Sequence, residues 1–256
     1  MNKTLKAALA AAVLVGTAQG ARADLTLTGA VGLPINPTAQ IPAQSGVRIQ
    51  GDYWDFGDDV QYYGIHAAGR VGKAPLEISG GVSRLDYSSD DETGLDVGIK
   101  YLFTKESDPA GVRIALGGGY SKALFENKHA YLVATKYIGE VTGERVPIIL
   151  HGGVRYDRFD FGFGSDDDSK VSAFIGTEIP ITRTGAWQLV GEVGSKVVDE
   201  GETPYSASIR YRPQGGGFGA SVGIARHGLS SDNGFFAQLG YTFDTGPAGT
   251  TATGGQ

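Results

Sequence analysis

The chain has no cysteine, one methionine, two tryptophans and only four histidines. Without cysteine an exported protein has no disulfide staples and no lipid-anchoring thiol, so its fold must rest on strand pairing and side-chain burial. Apolar runs are short: none approaches the roughly 20 residues a membrane helix needs. Basic residues are outnumbered, 22 against 28 acidic, which argues against nucleic acid as a partner. The histidines, His66, His129, His151 and His227, have no serine and carboxylate at a recognisable hydrolase spacing. No catalytic residue, metal site or cofactor is therefore expected.

The one continuous apolar stretch opens the chain. Met1 to Lys6 is basic, Ala7 to Gly16 is apolar, and Ala21-Arg22-Ala23 supplies small residues where a signal peptidase reads. This pattern predicts a secretory signal over 1–23, cleaved after Ala23. Removing Lys3, Lys6 and Arg22 takes the 22 basic residues to 19 against 28 acidic, a net charge of −9.

The clearest rhythm lies between Leu95 and Tyr120. Leu95, Val97, Ile99, Tyr101 and Phe103 alternate with mostly polar or small residues, and Val112, Ile114, Leu116, Gly118 and Tyr120 resume the alternation after a polar break. A period of two over about ten residues is a strand with one apolar face. The aromatics stand at strand ends with aliphatic residues between them. Hydrocarbon outside and two interfaces produce that grading, so the hairpin predicts a transmembrane strand pair.

Extended along the chain, the same reading predicts twelve strands: 47–56, 60–71, 75–87, 94–104, 111–121, 129–138, 147–158, 170–180, 186–197, 204–212, 217–227 and 235–243. The expected fold is all-β, a transmembrane antiparallel up-and-down β-barrel in an outer membrane, with lipid, lipopolysaccharide and the barrel-assembly machinery as partners. An even strand count puts both chain ends in the periplasm. Residues 24–46, broken by Pro34, Pro37 and Pro42, become a periplasmic or lumen-tucked segment, 47–243 the barrel, and 244–256 a disordered tail. Expected outward aromatics include Tyr101, Tyr137, Trp187 and Phe243 at one end and Tyr53, Tyr63, Tyr131 and Phe235 at the other, with Ile65, Ile99, Val133, Ile175 and Leu189 among those between.

The opposite parity carries the candidate lumen lining: Arg48, Asp52, His66, Arg70, Glu77, Asp96, Lys100, Arg113, His151, Arg155, Glu178, Glu192, Lys196, Arg210 and Arg212. Lys136, Asp157 and Lys170 share it. Basic residues predominate, so these side chains either pair across a narrow interior or line a pore preferring a saccharide or small anionic solute. Arg84, Arg158 and Arg226 fall on the outward parity at the outer rim. There guanidinium forks can grip lipopolysaccharide phosphate or snorkel at the interface.

The stretch Gly32-Leu33-Pro34-Ile35-Asn36-Pro37-Thr38-Ala39 resembles the opening of YjbH-type proteins, in which a G-L-x-x-x-P-T-A segment leads into barrel strands. The resemblance covers about 15 residues and implies an association with exopolysaccharide production. The expected role is a passive small-solute or saccharide pore, or an accessory to surface polysaccharide export. A plugged structural or surface-interaction barrel, working through acidic outer loops, is the alternative.

Overall fold

A computed structural model describes residues 24–42, 46–57, 60–87, 90–104, 111–122, 126–138, 148–160, 168–213, 217–229 and 232–244. The signal predicted over 1–23 and the tail expected beyond Asp244 lie outside them.

Twelve strands form one closed barrel: β1 (Gly46–Asp55), β2 (Val60–Arg70), β3 (Leu76–Tyr87), β4 (Asp90–Leu102), β5 (Val112–Ser121), β6 (Glu126–Ile138), β7 (Ile148–Asp160), β8 (Asp168–Pro180), β9 (Trp187–Gly194), β10 (Tyr205–Tyr211), β11 (Gly217–Arg226) and β12 (Gly234–Asp244). Each pairs antiparallel with its chain neighbours. β1 closes on β12 from Gly46↔Asp244 to Asp55↔Phe235, leaving no sheet edge unpaired. Both strand termini therefore lie at one end, called here the terminal end; the other is the far end. Two terminal-end turns, 71–75 and 181–186, are described throughout. In one, Gly72 takes φ 54° while Ala74 N–H donates to Val71 O at 3.1 Å, a geometry that disfavours a side chain.

The outward face is apolar. Ile65 is 61 % exposed and Ile175 66 %, and Ile78, Val97, Ile99, Leu116, Leu189 and Val222 face the same way. Aromatic pairs mark both ends: Trp187–Tyr211 at 5.0 Å and Tyr241–Phe243 at 4.7 Å at the terminal end, Tyr53–Tyr63 at 5.3 Å at the far end.

Strand β6 departs from the expected facing. Tyr131 and Val133 point inward, 3 % and 1 % exposed, while Leu132 faces out. Lys136 consequently shares the outward parity, opposite Leu150 of β7. The reason is inside the barrel: Tyr131 and Val133 pack with Ala39, Ile41, Leu102, Ala115 and Phe174. Residues 24–42 occupy the lumen, and almost every one is buried. Their apolar side chains offer an inward hydrophobe the same shelter that lipid offers an outward one.

Candidate functional site: the occupied lumen

Residues 24–42 form a compact knot. Leu25 bridges to Val31 and Gly32 to Pro37. A Cβ on Gly32 would stand 2.4 Å from Asn36 O and 2.8 Å from Pro37 Cα, so this turn accepts only glycine. The bends leave main-chain polar groups without partners within the segment, and barrel side chains meet many of them.

At one level of the lumen Asp24 gathers three guanidinium groups. Arg48 Nη2 lies 2.6 Å from Oδ1, Arg210 Nε 2.7 Å and Arg212 Nη1 3.7 Å from Oδ2. The two contacts on Oδ2 are ionic, without hydrogen-bond alignment. Burial opposes ionisation of Asp24, but Arg48, Arg210 and Arg212 outweigh it and hold the carboxyl below its ordinary range. Glu178 shares the same cations: Arg212 Nη2 at 2.8 Å and Arg210 Nη1 at 3.5 Å, with His151 Nε2 at 3.2 Å.

The main chain of the segment is clasped around its circumference. Leu25 N–H donates to Gln50 Oε1 at 3.1 Å, and Leu25 O accepts from Gln50 Nε2 at 3.0 Å and Gln238 Nε2 at 3.2 Å. Val31 N–H donates to Glu77 at 3.0 Å while Lys100 Nζ donates to Val31 O at 2.8 Å; Glu77 and Lys100 are themselves an ion pair at 3.0 Å. Glu192 accepts from Ile35 N–H at 2.7 Å, Asn36 N–H at 3.1 Å and Asn36 Nδ2 at 2.9 Å. Tyr62 OH donates to Leu27 O at 2.9 Å, Ala39 N–H to Thr135 Oγ1 at 3.1 Å, and Arg210 Nη2 to Gly32 O at 3.4 Å. Eight strands, β1, β2, β3, β4, β6, β9, β10 and β12, thus hold the segment directly.

Deeper in the wall, His66 Nδ1 lies 3.0 Å from Asp52 Oδ2 and Nε2 lies 3.1 Å from Asp96 Oδ2. Only the doubly protonated ring satisfies both carboxylates. Ser83 and Ser121 donate to Asp96 rather than to the imidazole, which makes this a closed charge cluster.

The predicted lining thus separates into groups. Arg48, Asp52, His66, Glu77, Asp96, Lys100, His151, Arg155, Glu178, Glu192, Arg210 and Arg212 are buried inside. Arg113 sits half-buried near the terminal end, its guanidinium 4.8 Å from the Tyr137 ring centroid. Arg70 does not line the lumen: its Nε caps the terminal-end turn at Ala74 O, 2.8 Å away. Lys196 is exposed, because β9 ends at Gly194, whose N–H turns to Pro204 O at 2.9 Å. At the far rim, Arg84 is claimed by Asp86 and by Asp91 at 2.8 Å. Arg226 Nε donates to Thr203 O at 3.0 Å and its guanidinium lies 5.2 Å from the Tyr205 centroid, whereas Arg158 is exposed.

Sequence reading missed Asp24, Gln50, Tyr62, Thr135 and Gln238 as holders of the lumen segment. Gln50 and Gln238 share the inward parity of the charged residues, and that alternation is the signal that marks them.

No known family model and no curated protein matches the chain. Among solved structures the barrel is similar to a KdgM porin, with TM-score 0.53 and 14 % identity over 77 % of this chain and 99 % of that one. It is also similar to a KdgM porin in complex with disordered oligogalacturonate, with TM-score 0.53 and 13 % identity over the same shares. A NanC porin gives 0.52 and 10 % over 77 % and 98 %. At such identities the likeness is one of fold: the chain is a closed, twelve-stranded antiparallel β-barrel.

Proposed function

We propose that the chain is an outer-membrane pore for small solutes, saccharides among them, and that residues 24–42 hold it closed in the state described here. The apolar outward face with aromatics at both ends supports residence in a membrane. The polar, charged interior and the shared fold with a porin solved with oligogalacturonate support the solute class. The observation that carries the closed state is the clasping of one segment by eight strands. Transit requires that segment to leave or shift, after which Arg48, Arg210 and Arg212, gathered round Asp24 in the closed state, would present a local cationic ring to the solute.

Planar-bilayer recording of the full chain beside a chain lacking 24–42 tests this. The full chain should insert with little current and the shortened one should conduct. The absence of native cysteine permits a second test that leaves every residue present. A cysteine pair at Ala39 and Thr135 should abolish the parent's residual brief openings when oxidised and restore them when reduced. Insertion of the shortened barrel without current would instead favour a structural, surface-interacting barrel, a reading supported by how fully the interior charges are paired.

The accessory role in polysaccharide export rests on the Gly32–Ala39 resemblance. That stretch forms the turn of the lumen segment, so the role implies that the segment answers to an export partner. Phosphate gripping by the rim arginines draws on Arg84, Arg158 and Arg226 together. Replacing all three with Gln should lower lipopolysaccharide co-purification.

A further inference from the structure

The barrel wall, not the lumen segment, builds the seat of Asp24. Arg48 Nε donates to Gln50 Oε1 at 3.3 Å and Nη1 to Thr242 Oγ1 at 3.2 Å. Two inward glycines leave room for its guanidinium: a Cβ on Gly240 would stand 2.6 Å from Arg48 Nη2, and one on Gly219 3.1 Å from the same atom. Glu178 of β8 holds Arg212 at 2.8 Å and Arg210 at 3.5 Å. Barrel atoms thus fix all three cations without help from the segment.

Asp24 fills this seat imperfectly. Arg210 Nε and Nη1 and Arg212 Nε and Nη1 are buried donors with no hydrogen-bond partner among the described residues, and Asp24 Oδ2 accepts none. Groups left this way are costly. The tether is the reason. Asp24 O accepts from Gly32 N–H at 2.9 Å, and the next residue is pinned on both its main-chain groups by Gln50. The carboxyl hangs from a fixed main chain and cannot turn to meet the forks. A free carboxylate carries no such restraint and meets a guanidinium with two parallel bonds.

Charge points the same way. Among the described residues, the carboxylates within ion-pair distance of these guanidinium groups are Asp24 and Glu178. With the segment withdrawn, Glu178 alone faces three cations, and such a wall draws in an anion.

We propose that Arg48, Arg210 and Arg212 form a carboxylate-binding site, that Asp24 is its built-in ligand, and that a small solute carboxylate takes the seat when the segment is out. Asp24 occupies the seat in the closed state, so the solute binds the open state alone. It raises the open population by the factor 1 + [L]/Kd. This competition rests on the pore reading; the seat itself does not.

Sodium formate, the smallest carboxylate, compared with sodium chloride at equal ionic strength, tests both halves on the full chain. In Asp24→Ala formate fits where the carboxyl was removed. It should saturably raise the temperature at which the barrel loses its compact gel mobility, and quiet the variant's current. Asp24→Gly with acetate repeats the test with the whole side chain supplied in solution. Asp24→Asn, whose amide fills the space, and Asp24→Ala combined with Arg210→Gln, which lacks one fork, should respond to formate no more than to chloride. On the parent the sign reverses: openings should become more frequent, about elevenfold at ten times the dissociation constant. No saturable rescue of Asp24→Ala or Asp24→Gly, or equal rescue of either control, would overturn the seat. A conducting chain lacking 24–42 beside a parent unmoved by formate would overturn the competition. Rescue of the melting temperature beside a shortened chain that stays silent would keep the seat and reject the pore.

Discussion

Arg210, on β10, places Nε 2.7 Å from Oδ2 of Asp24, a residue 186 positions earlier that stands inside the barrel. This contact, with those of Arg48 and Arg212, ties the lumen segment to the wall by charge where neither group reaches water. Removing the anion should therefore leave three buried cations short of a partner. Asp24→Asn is expected to cost about 3–5 kcal/mol, lower the temperature at which the barrel loses its compact gel mobility, and produce current in a bilayer. A silent variant of parental stability would refute the charge tether.

Acid should act on two groups in separate windows. The Asp24 carboxyl lies below its ordinary range when folded, so its stabilisation is complete above the unfolded value, 3.8, and is lost as pH falls through the lower folded value. Release of the lumen segment by acid is thus expected below about pH 4, with a closed barrel at pH 5–8. His227 has the opposite consequence. Its folded value of about 4 lies under the unfolded 6.5, so the unfolded chain takes up the proton first and stability declines from pH 6.5 toward 4. Urea unfolding across that range should show the decline, and His227→Gln should shrink it.

Glu192 takes hydrogen bonds from Ile35 N–H, Asn36 N–H, Asn36 Nδ2 and Ser206 Oγ, the last at 2.8 Å. Glu192→Ala strands four buried donors and should destabilise by about 3 kcal/mol. The local signature is faster amide exchange at Ile35 and Asn36, by tenfold or more, with strand amides of β3 and β4 unchanged.

The turn at Gly32 leaves no room for a methyl group, since the nearest atoms belong to backbone. Gly32→Ala should keep the barrel but unseat the segment, so its bilayer trace should resemble that of the chain lacking 24–42. A silent trace would show that the turn can relax.

Nitroxide labels can read the facing of each strand directly. Labels at Ile99, Leu116, Leu189 and Leu132 should broaden with oxygen dissolved in acyl chains. Labels at Tyr131 and Val133 should not. If the β6 pair reversed, the facing of that strand described above would be wrong.

The alternation of Leu95, Val97, Ile99 and Tyr101 already determined a strand with one lipid face. Twelve such strands with an even count determined closure, because an unpaired edge in hydrocarbon is prohibitively costly. Most inward charges, Arg48 through Arg212, were legible by the same parity. Tertiary structure alone decided what they meet. A period of two says that two faces differ but not which solvent each sees, so Tyr131 and Val133, placed outward by apolarity, turned inward once Ala39 and Ile41 supplied an apolar partner. Arg70 and Lys196 left the lumen because a carbonyl cap and the end of β9, neither visible in a pattern, intervene. The hydrogen bonds of Glu192 to residues 156 and 157 positions away depend on residues 24–42 lying inside the barrel they precede. No local periodicity encodes that.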